Sequence, residues 1–229
     1  MSIQDLIKKN NAFWTEDRSL TALLAYVILN TFVLLPFSNF RAGEFSNSII
    51  YSLMLLSGVF AMGSSIRTKV LIVILAVVTF VVHWALRLSP SPGIRLADDA
   101  LGIIFFCVLI TAVTRHIFRG GDVTIHRIQG AVAVYMLVGL VFSRIYSMIF
   151  LLDPEAFTMP ALTGNESFYS RFVYFSYVTL TTLGFGDITA VNLVAKSMVI
   201  MEGLVGQLFP AIMITRLVTL ELEHRKHKS

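Results

Sequence analysis

The chain has 229 residues, 56% of them hydrophobic and only 14% charged, with a mean hydropathy of +0.77. A soluble domain carries about 25% charged residues, so this composition excludes an ordinary water-soluble enzyme and places most of the chain in lipid. The net charge of +4 does not argue for nucleic acid, because the basic residues flank apolar stretches, as they do in membrane helices.

Residues 1–18 are polar and of mixed charge, without the short apolar core of a removable signal peptide. Ile3, Leu6, Ile7 and Phe13–Trp14 would suit an interfacial helix, and a frayed end is the alternative. Six later stretches reach the length of about 20 apolar residues that a membrane helix needs. They are residues 20–37, 48–66, 70–88, 99–118, 128–152 and 193–220. A seventh, residues 168–180, would be only about 20 Å long as a helix. It can enter a membrane but not cross it. Thr181–Asp187, reading T-T-L-G-F-G-D, follows it directly. The lone cysteine, Cys107, lies in an apolar run and cannot form an intrachain disulfide.

Lysines and arginines set the orientation. With an inside amino terminus, twelve fall on inside segments, within 8–18, 67–69, 115–127 and 216–228. Four fall outside: Arg41, Arg87, Arg95 and Arg171. That asymmetry predicts two cytoplasmic termini. Carboxylates collect on the outside instead, among them Asp98, Asp99 and Asp187, where they would concentrate cations. Gly120 and Gly121 mark a joint between a four-span front half and a two-span rear half. Pro154, Pro160 and Gly164 mark an outside loop, and Thr163-x-x-Glu166 matches a helix capping box.

The run T-x-G-F-G-D, after a half-length helix and before a full span, resembles the selectivity filter of potassium channels. The resemblance extends from about Gly120 to Leu220. It implies that the carbonyls of Thr182, Leu183, Gly184 and Phe185 form a ladder replacing the hydration shell of K⁺. It also implies that Gly186 turns the strand outward and that Asp187 stands at the outer mouth. K⁺ in the filter is the only bound species implied, and no other cofactor is expected. Two positions depart from the commonest family pattern: Leu183 stands where Val is usual, and Phe185 where Tyr is usual. Phe185 has no hydroxyl, and Val178 behind the filter has no carboxylate. Gly206 matches the family's gating-hinge glycine, and Pro210, one turn further, would favour a bend; close helix packing at the glycines is the alternative.

Glu202 reads as the only acid inside a span and Arg144 as the only base deep inside one. Unpaired charges at such depth are costly, so an Arg144–Glu202 pair is expected. Between Leu96 and Thr114 the fourth span holds no Lys or Arg, which removes the charges a voltage sensor moves.

The expectation is an all-α membrane protein with six transmembrane helices, a re-entrant pore helix and a selectivity filter. Its parts are a cytoplasmic segment at 1–18, a four-span domain without sensor charges at 19–119, a pore domain at 120–220 and a short tail at 221–229. One loop cannot close a ring, so a homotetramer in the cell membrane is expected. It would conduct K⁺ without strong voltage dependence, binding lipid and no nucleic acid, and it would not be an enzyme. A weakly selective cation channel and a subunit of a potassium uptake transporter are the alternatives. No His, Cys or carboxylate cluster has metal-ligand spacing, and no nucleophile–base arrangement is readable.

Overall fold

A computed structural model describes residues 20–34, 52, 66–118, 124–161 and 168–228. The expected interfacial helix at 1–18, nearly all of the span at 48–66, the joint at 119–123 and the capping box at Thr163–Glu166 lie outside these residues.

The first helix, α1, covers residues 20–34 and passes from α-helical to π-helical geometry over Leu29–Leu34. Next come α2 (Ile66–Leu88) and α3 (Pro92–Ile117). Ser91 is extended and its Oγ accepts from the Ile94 N–H at 3.3 Å, while Pro92 opens the first turn. Pro at that position has no N–H to leave unpaired, and its fixed φ suits a helix start. This cap moves the start of the fourth span from the expected residue 99 back to Pro92.

Helix α4 (Ile125–Leu152) begins at Thr124, whose Oγ1 accepts from the Arg127 N–H at 3.4 Å. A single 3₁₀ turn, Pro154–Ala156, leads into strand β1, Phe157–Thr158. Helix α5 covers Phe168–Leu180, the half-length segment legible in the sequence. After the T-T-L-G-F-G-D run, strand β2 (Thr189–Ala190) pairs antiparallel with β1, Phe157 opposite Ala190 and Thr158 opposite Thr189. The last helix, α6, runs over Leu193–Lys228, longer than expected and without interruption through Gly203, Gly206 and Pro210.

Among the described residues, three helices are long and apolar enough to cross a membrane: Pro92–Ile117, Ile125–Leu152 and Leu193–Leu222. Leu20–Val33 and Ile72–Leu86 are apolar but shorter. Helix α4 is central, packing against α3, α5 and α6. One core joins α1, α2, α3 and α4 through side chains such as Leu23, Ile72, Phe105, Leu109 and Leu137. A second core, built from aromatics, holds α5 against α4 and β1. There Tyr146, Phe157, Phe172 and Phe175 meet with ring centroids 5.0–5.8 Å apart, spacings at which edge-to-face aromatic pairs attract. By contrast α6 leaves Ile200, Leu204, Leu208, Ile212 and Val218 exposed along its length.

Candidate ion-conduction site

The site grows from the end of α5. The Leu183 and Gly184 amides both donate to the Val178 carbonyl, at 2.9 and 3.3 Å, and the Thr182 amide donates to the Thr179 carbonyl at 2.9 Å. These bonds use carbonyls that a helix end leaves unpaired, and they aim the following strand away from the helix. Its backbone then takes positive φ at every second residue: 61° at Thr182, 57° at Gly184 and 78° at Gly186. Glycine adopts such angles freely. Thr182 is β-branched, and strain of this kind costs about 1–3 kcal/mol and gathers at functional sites.

Alternating handedness turns successive peptide groups so that N–H groups gather on one side and carbonyls on the other. Among the described residues, the carbonyls of Thr182, Leu183, Gly184 and Phe185 accept no hydrogen bond. A row of unpaired oxygens in non-helical backbone is tolerable at membrane depth only beside water, ions or other protein. Leu183 and Phe185, 62% and 65% exposed on the single chain, point to other protein. Asp187 follows, with the Tyr174 side chain facing its carboxylate.

Beneath the strand, the Leu180 carbonyl accepts from the Tyr135 hydroxyl at 3.0 Å and abuts Gly206 of α6. Gly206 is therefore a packing position, whether or not the helix bends there. Pro210 lies within α6, one residue after Phe209, whose ring stands 5.9 Å from that of Tyr135.

The expected Arg144–Glu202 pair is not formed; each group has other partners. Arg144 Nη1 donates to the Asp98 carbonyl at 3.1 Å and pairs with Asp99 Oδ1 at 3.2 Å and Asp98 Oδ2 at 3.5 Å. Ser147 donates to Asp99 at 2.7 Å, and His83 Nδ1 lies 3.2 Å from Asp98. The guanidinium also lies over the rings of Phe106, at 5.6 Å, and Tyr169, at 5.7 Å, within cation–π range. It rests on Gly102, where a Cβ would stand 2.6 Å from its central carbon. Arg144 thus joins α3, α4 and α5. The error came from the fourth span: with α3 starting at Pro92, Asp98 and Asp99 are buried helix residues, not members of an outside loop. The Ser91–Pro92 cap was the signal that could have revealed them.

Glu202 bonds instead to Tyr146 of α4, at 2.5 Å, and to Ser176 of α5. Neither partner was picked out as functional from the sequence; a serine in an otherwise aromatic and apolar turn of α5 was the available hint. Among the described residues, no group of three or more His, Cys, Asp or Glu side chains could hold a metal ion.

Residues 131–222, the segment with this helix–strand–helix arrangement, match the family described as ion channel. Protein LctB of Bacillus caldotenax is 31% identical over 94 residues, which cover 40% of this chain and 69% of that protein. With a half-length helix, a strand of unpaired carbonyls and a full membrane helix after it, the chain belongs to the ion channel family.

Proposed function

We propose that the chain forms a homotetrameric, potassium-selective channel that conducts K⁺ passively along its symmetry axis. The observation that carries this reading is the alternation of positive φ at Thr182, Gly184 and Gly186, which leaves four consecutive carbonyls free to coordinate a dehydrated cation. Four copies complete the site, because one strand supplies one oxygen per level. The exposed apolar stripe of α6 and the exposed Leu183 and Phe185 then meet neighbouring copies. The Thr182 hydroxyl adds the innermost ligands, and Asp187 draws cations to the outer mouth. Gly206 and Pro210 form the point at which α6 bends when the inner end opens.

Both termini face the cytoplasm and the channel lies in the cell membrane, as the distribution of Lys and Arg favours. Voltage has little hold on it, because Asp98 and Asp99 of α3 are tied to Arg144 of α4. Reversal potentials with K⁺ on one side of a bilayer and Na⁺ on the other test selectivity. A strong shift toward the K⁺ equilibrium potential is expected, and a reversal near zero would leave a weakly selective cation channel.

A further inference from the structure

We propose that Glu202 is held as a neutral, proton-donating carboxylic acid that positions the pore helix α5, and with it the filter strand, against both flanking membrane helices. The consequence for conduction rests on the channel reading above; the protonation state rests on hydrogen-bond geometry alone.

Ser176 Oγ lies 2.6 Å from the Gly139 carbonyl oxygen. A carbonyl only accepts and Ser176 has one hydroxyl proton, so this contact and the one to Glu202 are both two-centre hydrogen bonds only when that proton goes to Gly139. Glu202 Oε1 nevertheless stands in hydrogen-bond contact with the same Oγ. An ionised carboxylate has no proton to give, and two oxygens facing each other through lone pairs repel. The contact closes when Glu202 carries a proton on Oε1 and donates it to Ser176. Oε2 is then the carbonyl oxygen of the acid and accepts from the Tyr146 hydroxyl at 2.5 Å. Every donor now points the same way, from Tyr146 to Glu202 to Ser176 to Gly139, and in such a chain each bond polarises the next. Glu202, Ser176 and Tyr146 are all 0% exposed, so water does not compete for these groups.

The chain of bonds starts on α4, crosses to α6, passes to α5 and returns to α4. Two residues beyond Ser176, the Val178 carbonyl receives the Leu183 and Gly184 amides. The turn of α5 that Glu202 holds is therefore the turn from which the filter is aimed. Removing the proton turns a donor into a repulsion and leaves a charge in a dry site. The titratable side chains that face Glu202 are the phenols of Tyr146 and Tyr135 of α4 and of Tyr177 of α5, none of which can carry a positive charge. Among the described residues no cation is set against it; Arg144 serves Asp98 and Asp99. The native arrangement binds the proton, so the tie is complete at low pH and is lost as pH rises.

Infrared spectra and bilayer currents of the purified full chain in lipid test this. The carbonyl band of a protonated carboxylic acid should be present in wild type at neutral pH and absent in Glu202→Gln. The glutamine amide offers one donor and one acceptor in similar places, so Glu202→Gln should keep current and reversal potential within about twofold. Glu202→Leu should lower the current about tenfold or more, and Ser176→Ala should move it in the same direction. Raising the pH should reduce wild-type current and leave Glu202→Gln flat. Absence of the band in wild type, its persistence in Glu202→Gln, or equal impairment of the Gln and Leu variants would each overturn the proposal. If Glu202→Leu fails to assemble, the band and the two pH profiles decide. Wild-type current without K⁺ preference would sink the selectivity reading alone, since the band still reports on Glu202.

Discussion

The Leu180 carbonyl lies against Gly206 so closely that a Cβ on the glycine would stand 2.0 Å from its oxygen. The last carbonyls of a helix have no intrahelical partner. This one is satisfied by the Tyr135 hydroxyl, and the missing side chain at 206 brings α6 up to it. Helix α6 is thereby seated directly under the start of the filter strand.

Gly206→Ala should therefore destabilise the oligomer by about 1–3 kcal/mol per subunit, the usual cost of overpacking a tight contact, and shift current or selectivity. Gly203→Ala, where nothing among the described residues beyond its own helix turn lies within 4 Å of an added Cβ, should cost less. Thermal denaturation of the two purified variants makes the comparison. Equal midpoints would show that the contact at Leu180 is not what requires glycine.

Arg144 and Asp99 should be strongly coupled. Arg144→Met alone takes the guanidinium from both buried carboxylates, Asp98 and Asp99, which costs about 3–5 kcal/mol. Asp99→Asn leaves Arg144 with Asp98 and should cost less, and the double variant should recover about 1–3 kcal/mol of the summed loss. Arg144→Met combined with Glu202→Gln should instead be additive within about 0.5 kcal/mol. Oligomer stability measured across both cycles distinguishes the two arrangements, and coupling in the second cycle but not the first would restore the Arg144–Glu202 pair.

Open probability should vary little with voltage, corresponding to less than about one elementary charge per subunit, where each charge crossing the full field contributes about 2.3 kcal/mol per 100 mV. The body of α3 from Leu96 to Thr114 has no Lys or Arg, and its two acids are fastened to α4. Steady-state currents over a range of holding potentials provide the measurement. A steep sigmoid would mean that α3 moves despite this anchor.

Asn192 does two jobs at the outer end. Its Oδ1 caps α6 by accepting from the Ala195 amide at 2.7 Å, and its Nδ2 donates to Asp153 at 2.8 Å. Asp153 in turn caps the Pro154–Ala156 turn through the Glu155 amide. Asn192→Ala should cost about 1–2 kcal/mol, more than a simple surface change. Asn192→Ser should recover the cap but not the Asp153 bond, so its stability should fall between the two. If Ser is as damaging as Ala in thermal denaturation, the cap contributes nothing.

The amino-acid order alone determined that the chain lives in lipid, where the middles of its described apolar helices run, though not where α3 starts or α6 ends, and that a half-length helix precedes a glycine-alternating strand. These are local properties: apolar run length, a helix too short to cross, and glycines that permit positive φ. Helix α5 occupies the expected Phe168–Leu180, and Gly184 and Gly186 take the left-handed angles. Thr182 taking the same angle was not legible, because nothing about threonine favours it; the bonds to Val178 and Thr179 impose it. Partner choice among distant side chains was not legible either. Arg144 and Tyr146 are two residues apart on α4, about 200° around a helix, so one faces α3 and the other α6. Which of them meets Glu202 depends on the rotation of each helix about its axis, and that rotation is set by the packing of all the helices together.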